Sequence, residues 1–249
     1  MHPDKRREQT FVHNLHGRYA NKTCVLVANG PSLNAMQWDW QETFDGPIMG
    51  MNKVYLALQR YSIRLDLYAA VNDLVIDQSV GQIWGLLPSQ TLKWLSDKKR
   101  AKFPCKGVLG RNIMYFKASG SLQKPYFSYD ISEVINTGWT VTYVSLQILH
   151  YVGCKTVIIV GMDHHFEQVG KSGEAQIMKG RDPNHFDPTY FVNNTWQLAG
   201  LNQSERSYRI AREEFEKSGR TIIDASVGGH CTVFDKGDYK KLLYPSNMV

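Results

Sequence analysis

The sequence predicts an α/β fold: a mainly parallel sheet with helices on both faces. Two observations carry this reading. Short β-rich apolar runs alternate with helical patterns along the chain, the order that lays strands side by side in parallel and packs helices over them. Runs such as Val157-Ile158-Ile159-Val160 are apolar without interruption, as in strands covered on both faces. At 249 residues, the chain reads as one domain, 1–249, with an embellishment over 161–203.

The strands expected are 23–28, Ile48–Met51, Leu67–Ala70, Thr156–Val160 and 221–223. The clearest helix is 141–152, where Val141, Val144, Ser145, Ile148, Leu149 and Val152 recur at helical spacing and Gly153 stops the run. A second, more polar helix over 205–217 ends at Gly219 and is expected on the surface. Residues 96–130 read as irregular, punctuated by Pro104, Gly107, Gly110, Gly120 and Pro125. Residues 161–203 are rich in His, Asp, Asn, Gly and Pro. That stretch is too long for a simple connection and reads as a His/Asp-rich lid or binding segment.

Composition narrows the function. The chain is 43% hydrophobic and 21% charged, which excludes a disordered chain. No apolar run reaches membrane-span length, and the polar start Met1-His2-Pro3-Asp4-Lys5-Arg6-Arg7-Glu8 lacks a signal peptide's apolar stretch. The expected location is the cytoplasm. Cys24, Cys105, Cys154 and Cys231 form no CxxC motif; Cys24 and Cys154 read as small unpaired core residues, in keeping with a reducing compartment. Of the net charge of +6, part sits in Lys98-Lys99-Arg100-Ala101-Lys102. This cluster reads as a solvated loop, with an anionic membrane surface or an anionic substrate as alternatives. The chain has no zinc finger, RNP-type motif or basic helix, so nucleic acid is not an expected partner. Whether the chain forms a homo-oligomer is left open.

Five constellations carry chemistry. In Val25-Leu26-Val27-Ala28-Asn29-Gly30-Pro31-Ser32-Leu33 a strand runs into a tight turn. Gly30 is expected to supply an unusual backbone geometry, Pro31 to open a helix and Ser32 to place a hydroxyl beside free N–H groups. Such a turn is a candidate phosphate cradle. Gly50-Met51-Asn52-Lys53 ends the second strand, where the Asn52 amide offers both a donor and an acceptor; Asn72-Asp73 stands similarly after the third. Asn136-Thr137-Gly138-Trp139-Thr140 precedes the strong helix, and Thr137 or Thr140 caps it or shares its N–H groups with an anion. Gly161-Met162-Asp163-His164-His165-Phe166 and Asp182-Pro183-Asn184-His185-Phe186-Asp187 offer general bases or, less readily, metal ligands. Gly228-Gly229 allows a close backbone approach. Ligands of open α/β sheets sit beyond the carboxyl ends of the strands, and most of these motifs share that edge.

Together, Asn29-Gly30-Pro31-Ser32-Leu33, Gly50-Met51-Asn52, Asn136-Thr137-Gly138, Gly161-Met162-Asp163 and Asp182-Pro183-Asn184-His185-Phe186 resemble the MptE-like family, named after the archaeal 6-hydroxymethylpterin diphosphokinase. They are more distantly similar to the flagellin-glycosylating Maf proteins and to bacterial α-2,3-sialyltransferases that use CMP-activated sugars. The resemblance implies a Rossmann-like, variant GT-A-like fold. It also implies an inverting, sialyltransferase-like glycosyltransferase of surface-glycan synthesis, with a nucleotide-sugar donor (a CMP-linked acidic sugar) and a glycan acceptor. Asn29, Gly30, Pro31, Ser32, Asn52, Asn72, Asn136, Thr137 and Gly138 would bind the donor. His185 would be the general base. His165 stands where the sialyltransferases place a tyrosine on the leaving phosphate, and Asp163 joins these two as a catalytic candidate. No Asp-x-Asp pair is present, so no cofactor is expected for this reaction. The alternatives are a diphosphokinase using ATP and Mg²⁺, the metal held by Asp73 and Asp163, and a non-catalytic nucleotide-binding module.

Overall fold

The continuous apolar runs form the centre of a nine-stranded sheet in which every pairing is parallel. The computed structural model describes residues 3–103, 112–120 and 124–244. Cys105, Pro104, Gly107 and Gly110 lie outside the described residues. In chain order the first half contains α1 (Pro3–His13), β1 (Thr23–Val27), β2 (Ile48–Met51), α2 (Tyr55–Tyr61), β3 (Leu67–Ala70), α3 (Asp73–Gly85), β4 (Leu92–Ser96), β5 (Ile113–Ser119) and β6 (Val134–Asn136). The second half contains α4 (Val141–Tyr151), β7 (Thr156–Val160), β8 (Ala175–Ile177), β9 (Thr195–Gln197), α5 (Leu201–Lys217), β10 (Thr221–Asp224), β11 (Asp235–Lys236) and α6 (Tyr239–Leu243).

Alternate residues of the strands feed two cores. Leu26, Met49, Trp94 and Ile159 face α1, α4 and α5 through Val12, Ile148 and Phe215. Val25, Tyr68, Leu95 and Val160 face α2, α3 and α6 through Tyr55, Ile76 and Leu243. The fold is therefore α/β and Rossmann-like, as expected. Residues 161–203 are not a loose loop. β8 and β9 form an antiparallel hairpin, and Phe186, Tyr190, Phe191 and Trp196 join the second core.

The strand order is β11-β10-β7-β1-β2-β3-β4-β5-β6. The chain thus builds outward from β1 to β6, and α4 then returns it to β7 on the other side of β1. The direction of winding reverses between β1 and β7, and a crevice opens at the carboxyl ends of two such strands.

Several expectations are corrected. Residues 96–130 contain a regular strand, β5, with Ile113 to Phe116 all buried. β4 was hidden by a charged letter: Lys93 is fully buried because its Nζ donates to the carbonyls of Pro88 and Thr91, both at 2.8 Å. The helix α5 does not merely lie on the surface, since Tyr208, Ala211 and Phe215 are buried. The basic cluster is largely neutralised within the fold. Arg100 makes a two-pronged bond to buried Glu8 at 2.8 and 2.6 Å, and Lys99 pairs with Asp77 at 2.7 Å. Cys24 and Cys154 are not unpaired core thiols: they form a buried disulfide, with Cα atoms 6.0 Å apart, across the start of β1 and the entry to β7. Cysteine usage therefore gives no argument for a reducing compartment. Among the described residues, no helix is long and apolar enough to cross a membrane.

Candidate functional site

The turns that follow β1 and β7 are locked together. The Gly30 N–H donates to the Gly161 carbonyl at 2.8 Å. Pro31 opens a short 3₁₀ turn, Pro31–Ala35. The Ser32 N–H lies 3.3 Å from both carboxylate oxygens of Asp163, and its hydroxyl donates to Oδ2 at 3.0 Å. The expected anion cradle is thus filled by the protein's own carboxylate. Gly30 has φ −74° and ψ 160°, ordinary extended backbone, so conformational freedom is not why glycine stands there. A Cβ at this position would lie 1.6 Å from Asp163 Oδ2 and 2.7 Å from the Gly161 carbonyl. Burial raises the Asp163 pKa above the usual carboxylate value, Asp224 adds to the rise, and the Ser32 bonds oppose it.

Behind this junction lies a cavity of about 180 Å³, walled in part by Asn29, Gly30, Asn52, Thr140, Asp163, His165 and His185. It adjoins a cleft of about 500 Å³ with which it shares Asn52, Trp139, Phe166 and His185. Asn29 is 8% exposed and donates from Nδ2 to the Met51 carbonyl at 3.1 Å. Asn52 holds a left-handed backbone, φ 49°. Among the described residues, the Oδ1 atoms of both asparagines are buried without a hydrogen-bond partner.

Two helix N-termini converge on the same cavity. Thr140 caps α4, its Oγ1 accepting from the Thr142 N–H at 3.2 Å. Gly200, Leu201 and Ser204, at the start of α5, line the same cavity, and among the described residues α5 has no side-chain cap. First-turn N–H groups and helix dipoles favour negative charge there. Trp139, between cavity and cleft, is held at φ 70°, a costly conformation for a bulky residue.

His185 lies within 2.9 Å of buried Asp182 Oδ2 through Nδ1 and stacks on Tyr190, with ring centroids 3.9 Å apart and planes at 6°. A carboxylate on Nδ1 fixes the tautomer that leaves Nε2 as the acceptor. Asp182 Oδ1 is in turn held by the Asn184 N–H at 2.9 Å. His165 is exposed on the cavity rim, its ring 5.3 Å from that of His230. His164 also lines the cavity, and its Nε2 lies 3.2 Å from Glu205 Oε1.

Other sequence candidates have structural employment. Asn72 caps α3, its Oδ1 accepting from the Leu74 and Val75 N–H groups, and its Nδ2 reaches Gln197 at 2.7 Å on the cleft wall. Thr137 lines the cleft. Asn136 is fully buried and accepts from the Gly138 N–H at 3.1 Å. Gly138 has φ 48°, and a Cβ there would lie 2.4 Å from Tyr143. Neither of these two expected donor-binding residues lines the cavity or the cleft. Asp73 begins α3 and belongs to neither wall, and the Asp163 oxygens are engaged by Ser32. The pair expected to hold Mg²⁺ therefore does not fit that ion.

Sequence reasoning quoted Asp182 and Lys53 without giving them roles and did not single out Tyr190. Lys53 is buried, donates from Nζ to the Tyr190 carbonyl at 2.6 Å and lies 4.6 Å from the Phe191 ring centre. Burial lowers its pKa to about 8, partly offset by Asp182. Its own N–H donates to the Tyr190 hydroxyl at 3.1 Å, so the end of β2 fixes the ring on which His185 rests. The readable signal was Lys53 directly after Asn52 at a strand end.

Residues 4–169 match the family described as 6-hydroxymethylpterin diphosphokinase MptE-like. The chain belongs to the MptE-like family. The match includes Asn29, Asn52 and Asp163 and stops short of His185. Among solved structures, this MptE-like chain is similar to the Maf glycosyltransferase from Magnetospirillum magneticum AMB-1, at TM-score 0.57 and 12% identity. The likeness covers 95% of this chain and 39% of that one, so the MptE-like chain spans about two fifths of the Maf protein. A mammalian sialyltransferase in complex with Gal-beta-1-3GalNAc-ortho-nitrophenol aligns at TM-score 0.39 and 10% identity, over 91% of this chain and 79% of that one, too weakly to bear on the fold. No curated protein is matched by sequence.

Proposed function

We propose that this MptE-like protein is an inverting glycosyltransferase of surface-glycan synthesis that uses a nucleotide-activated sugar, with a CMP-linked acidic sugar as donor. The observation that carries the proposal is the Asp182–His185 pair standing on a cavity into which two helix N-termini open. His185 Nε2 takes the proton of the acceptor hydroxyl. The oxygen attacks the anomeric carbon, and the bond from that carbon to the phosphate oxygen breaks, releasing the nucleotide. The departing phosphate rests against the starts of α4 and α5 with His165 beside it. This places it away from Ser32, whose donors are taken by Asp163. Asn29 and Asn52 wall the part of the cavity that takes the donor. Asp163 is assigned to holding the two turns together and not to proton transfer.

The family description favours a second reading, ATP- and Mg²⁺-dependent diphosphoryl transfer, against which it counts that Asp73 lines neither the cavity nor the cleft. A third, a non-catalytic nucleotide-binding module, would leave the Asp182–His185 pair without a task. Thermal-shift measurements with CMP, UDP, GDP and ATP, with and without Mg²⁺, separate the first two. Stabilisation by CMP without metal is expected; a response to ATP with Mg²⁺ and none to CMP would sink the proposal. His185→Asn should lower kcat by about 10²–10⁴-fold while CMP stabilises the variant as it does the parent chain. Nucleotide binding with no turnover in the parent chain would favour the third reading.

A further inference from the structure

His185 also forms part of a third, outer cleft of about 370 Å³, whose remaining wall is Asn34, Arg60, Arg181, Asp182, Pro183, Phe186 and Pro188. This cleft is firmly built. Asn34 donates from Nδ2 to the Phe186 carbonyl at 3.0 Å and accepts from the Tyr61 hydroxyl at 2.7 Å, which joins the end of α2, the turn after β1 and residues 181–188. Elsewhere, Arg64, Arg100, Arg209 and Arg212 each have a carboxylate partner. Among the described residues Arg60 and Arg181 have none, in common with Arg18, Arg206 and Arg220; both are exposed, and the Arg60 guanidinium lies 5.6 Å from the centre of the Tyr61 ring. Asp182 does not neutralise its neighbour Arg181: its side chain is fully buried and turned to His185 and the Asn184 N–H.

The two arginines therefore present forked donors to solvent on a cleft that shares His185 with the donor cavity. Guanidinium groups bind carboxylates, sulfates and phosphates by paired charge-assisted hydrogen bonds. We infer that the outer cleft binds an anionic group of the acceptor, a carboxylate or a sulfate or phosphate ester, through Arg60 and Arg181. The acceptor's hydroxyl then lies at His185. The inference rests on the transferase reading for the word acceptor, but the anion site is tested without turnover.

The experiment is direct titration of the full chain by calorimetry at low salt with lactose, 3′-sialyllactose and 3′-sulfated lactose. The two charged probes separate a carboxylate preference from one for a sulfate ester. Both are expected to bind about tenfold more tightly than lactose, the scale of one charge-assisted hydrogen-bonded contact. Arg60→Gln combined with Arg181→Gln should abolish that difference. Because both side chains are exposed, the double variant should keep the parent Tm and the parent response to CMP. Equal binding of all three probes, or a charge preference that survives the double substitution, would overturn the inference. If no sugar transfer is found but the preference maps to the two arginines, the transferase reading fails and the anion site stands. If transfer occurs with no preference for charged probes, the reverse holds.

Discussion

At the scale of single residues, spacing around Gly30 decides more than backbone freedom does. The Asn29-Gly30-Pro31-Ser32-Leu33 motif was legible as a turn after a strand, and its place at the crevice is as expected. Its chemistry was not legible, because the carboxylate that fills it lies 131 residues away. A methyl group on Gly30 meets Asp163 Oδ2 at 1.6 Å. Gly30→Ala should therefore cost about 1–3 kcal/mol, the usual range for overpacking, although alanine adopts φ −74° freely. Denaturant unfolding of Gly30→Ala, Asp163→Ala and the double variant checks this. The double variant should be more stable than the two single losses added together, since removing the carboxylate removes the closer of the two clashes and leaves only the Gly161 carbonyl at 2.7 Å. Additive losses would mean that strain elsewhere in the turn is responsible.

At the scale of elements, α4 was the best-read segment of the sequence. Its apolar spacing and Gly153 gave its limits within one residue, and Thr140 caps it as one of the two threonines expected to. What the pattern hid was His150 near its end, packed among the rings of Phe127, Tyr129 and Phe215 and 3.0 Å from the Ser218 hydroxyl. Burial lowers its pKa from 6.5 to about 4, with Arg220 adding to the shift. The unfolded chain thus binds this proton more readily than the folded one. The stability it contributes is fully present above pH 6.5 and is lost as pH falls from 6.5 through about 4. Stability measured across that window should fall with acid in the parent chain, and His150→Gln should flatten the slope. An unchanged slope would assign the loss to carboxylates. By contrast β4 and α3 were missed, for opposite reasons. Lys93 makes a buried strand look polar, and Asn72 looks like a ligand-binding residue while it caps a helix.

At the scale of the whole molecule, the Cys24–Cys154 bridge closes a loop across 130 residues and ties β1 to the segment entering β7, the two strands whose far ends build the crevice. On a chain-entropy account such a bridge stabilises by about 2–5 kcal/mol. Urea unfolding with and without a thiol reductant should show a loss of that order in the parent chain and none in Cys24→Ala. A parent chain indifferent to reductant would mean that the two thiols pack unbonded. The sheet order gives the bridge its setting, because β1 and β7 are adjacent only by virtue of the return through α4.

The sequence by itself determined the α/β class, five strand positions, the limits of α4 and the family. These depend on local periodicity and on short contiguous motifs, which a linear string preserves. Only the tertiary structure decided that Asp163 occupies the turn after β1, that Asp182 and Tyr190 orient His185, and that Cys24 meets Cys154. It alone placed Arg60 and Arg181 on one cleft. Each of these joins groups brought together by strand order, by the return of the chain to β7 or by the folding back of residues 161–203. Such contacts are set by packing over long sequence separations, and spacing along the chain carries no record of them.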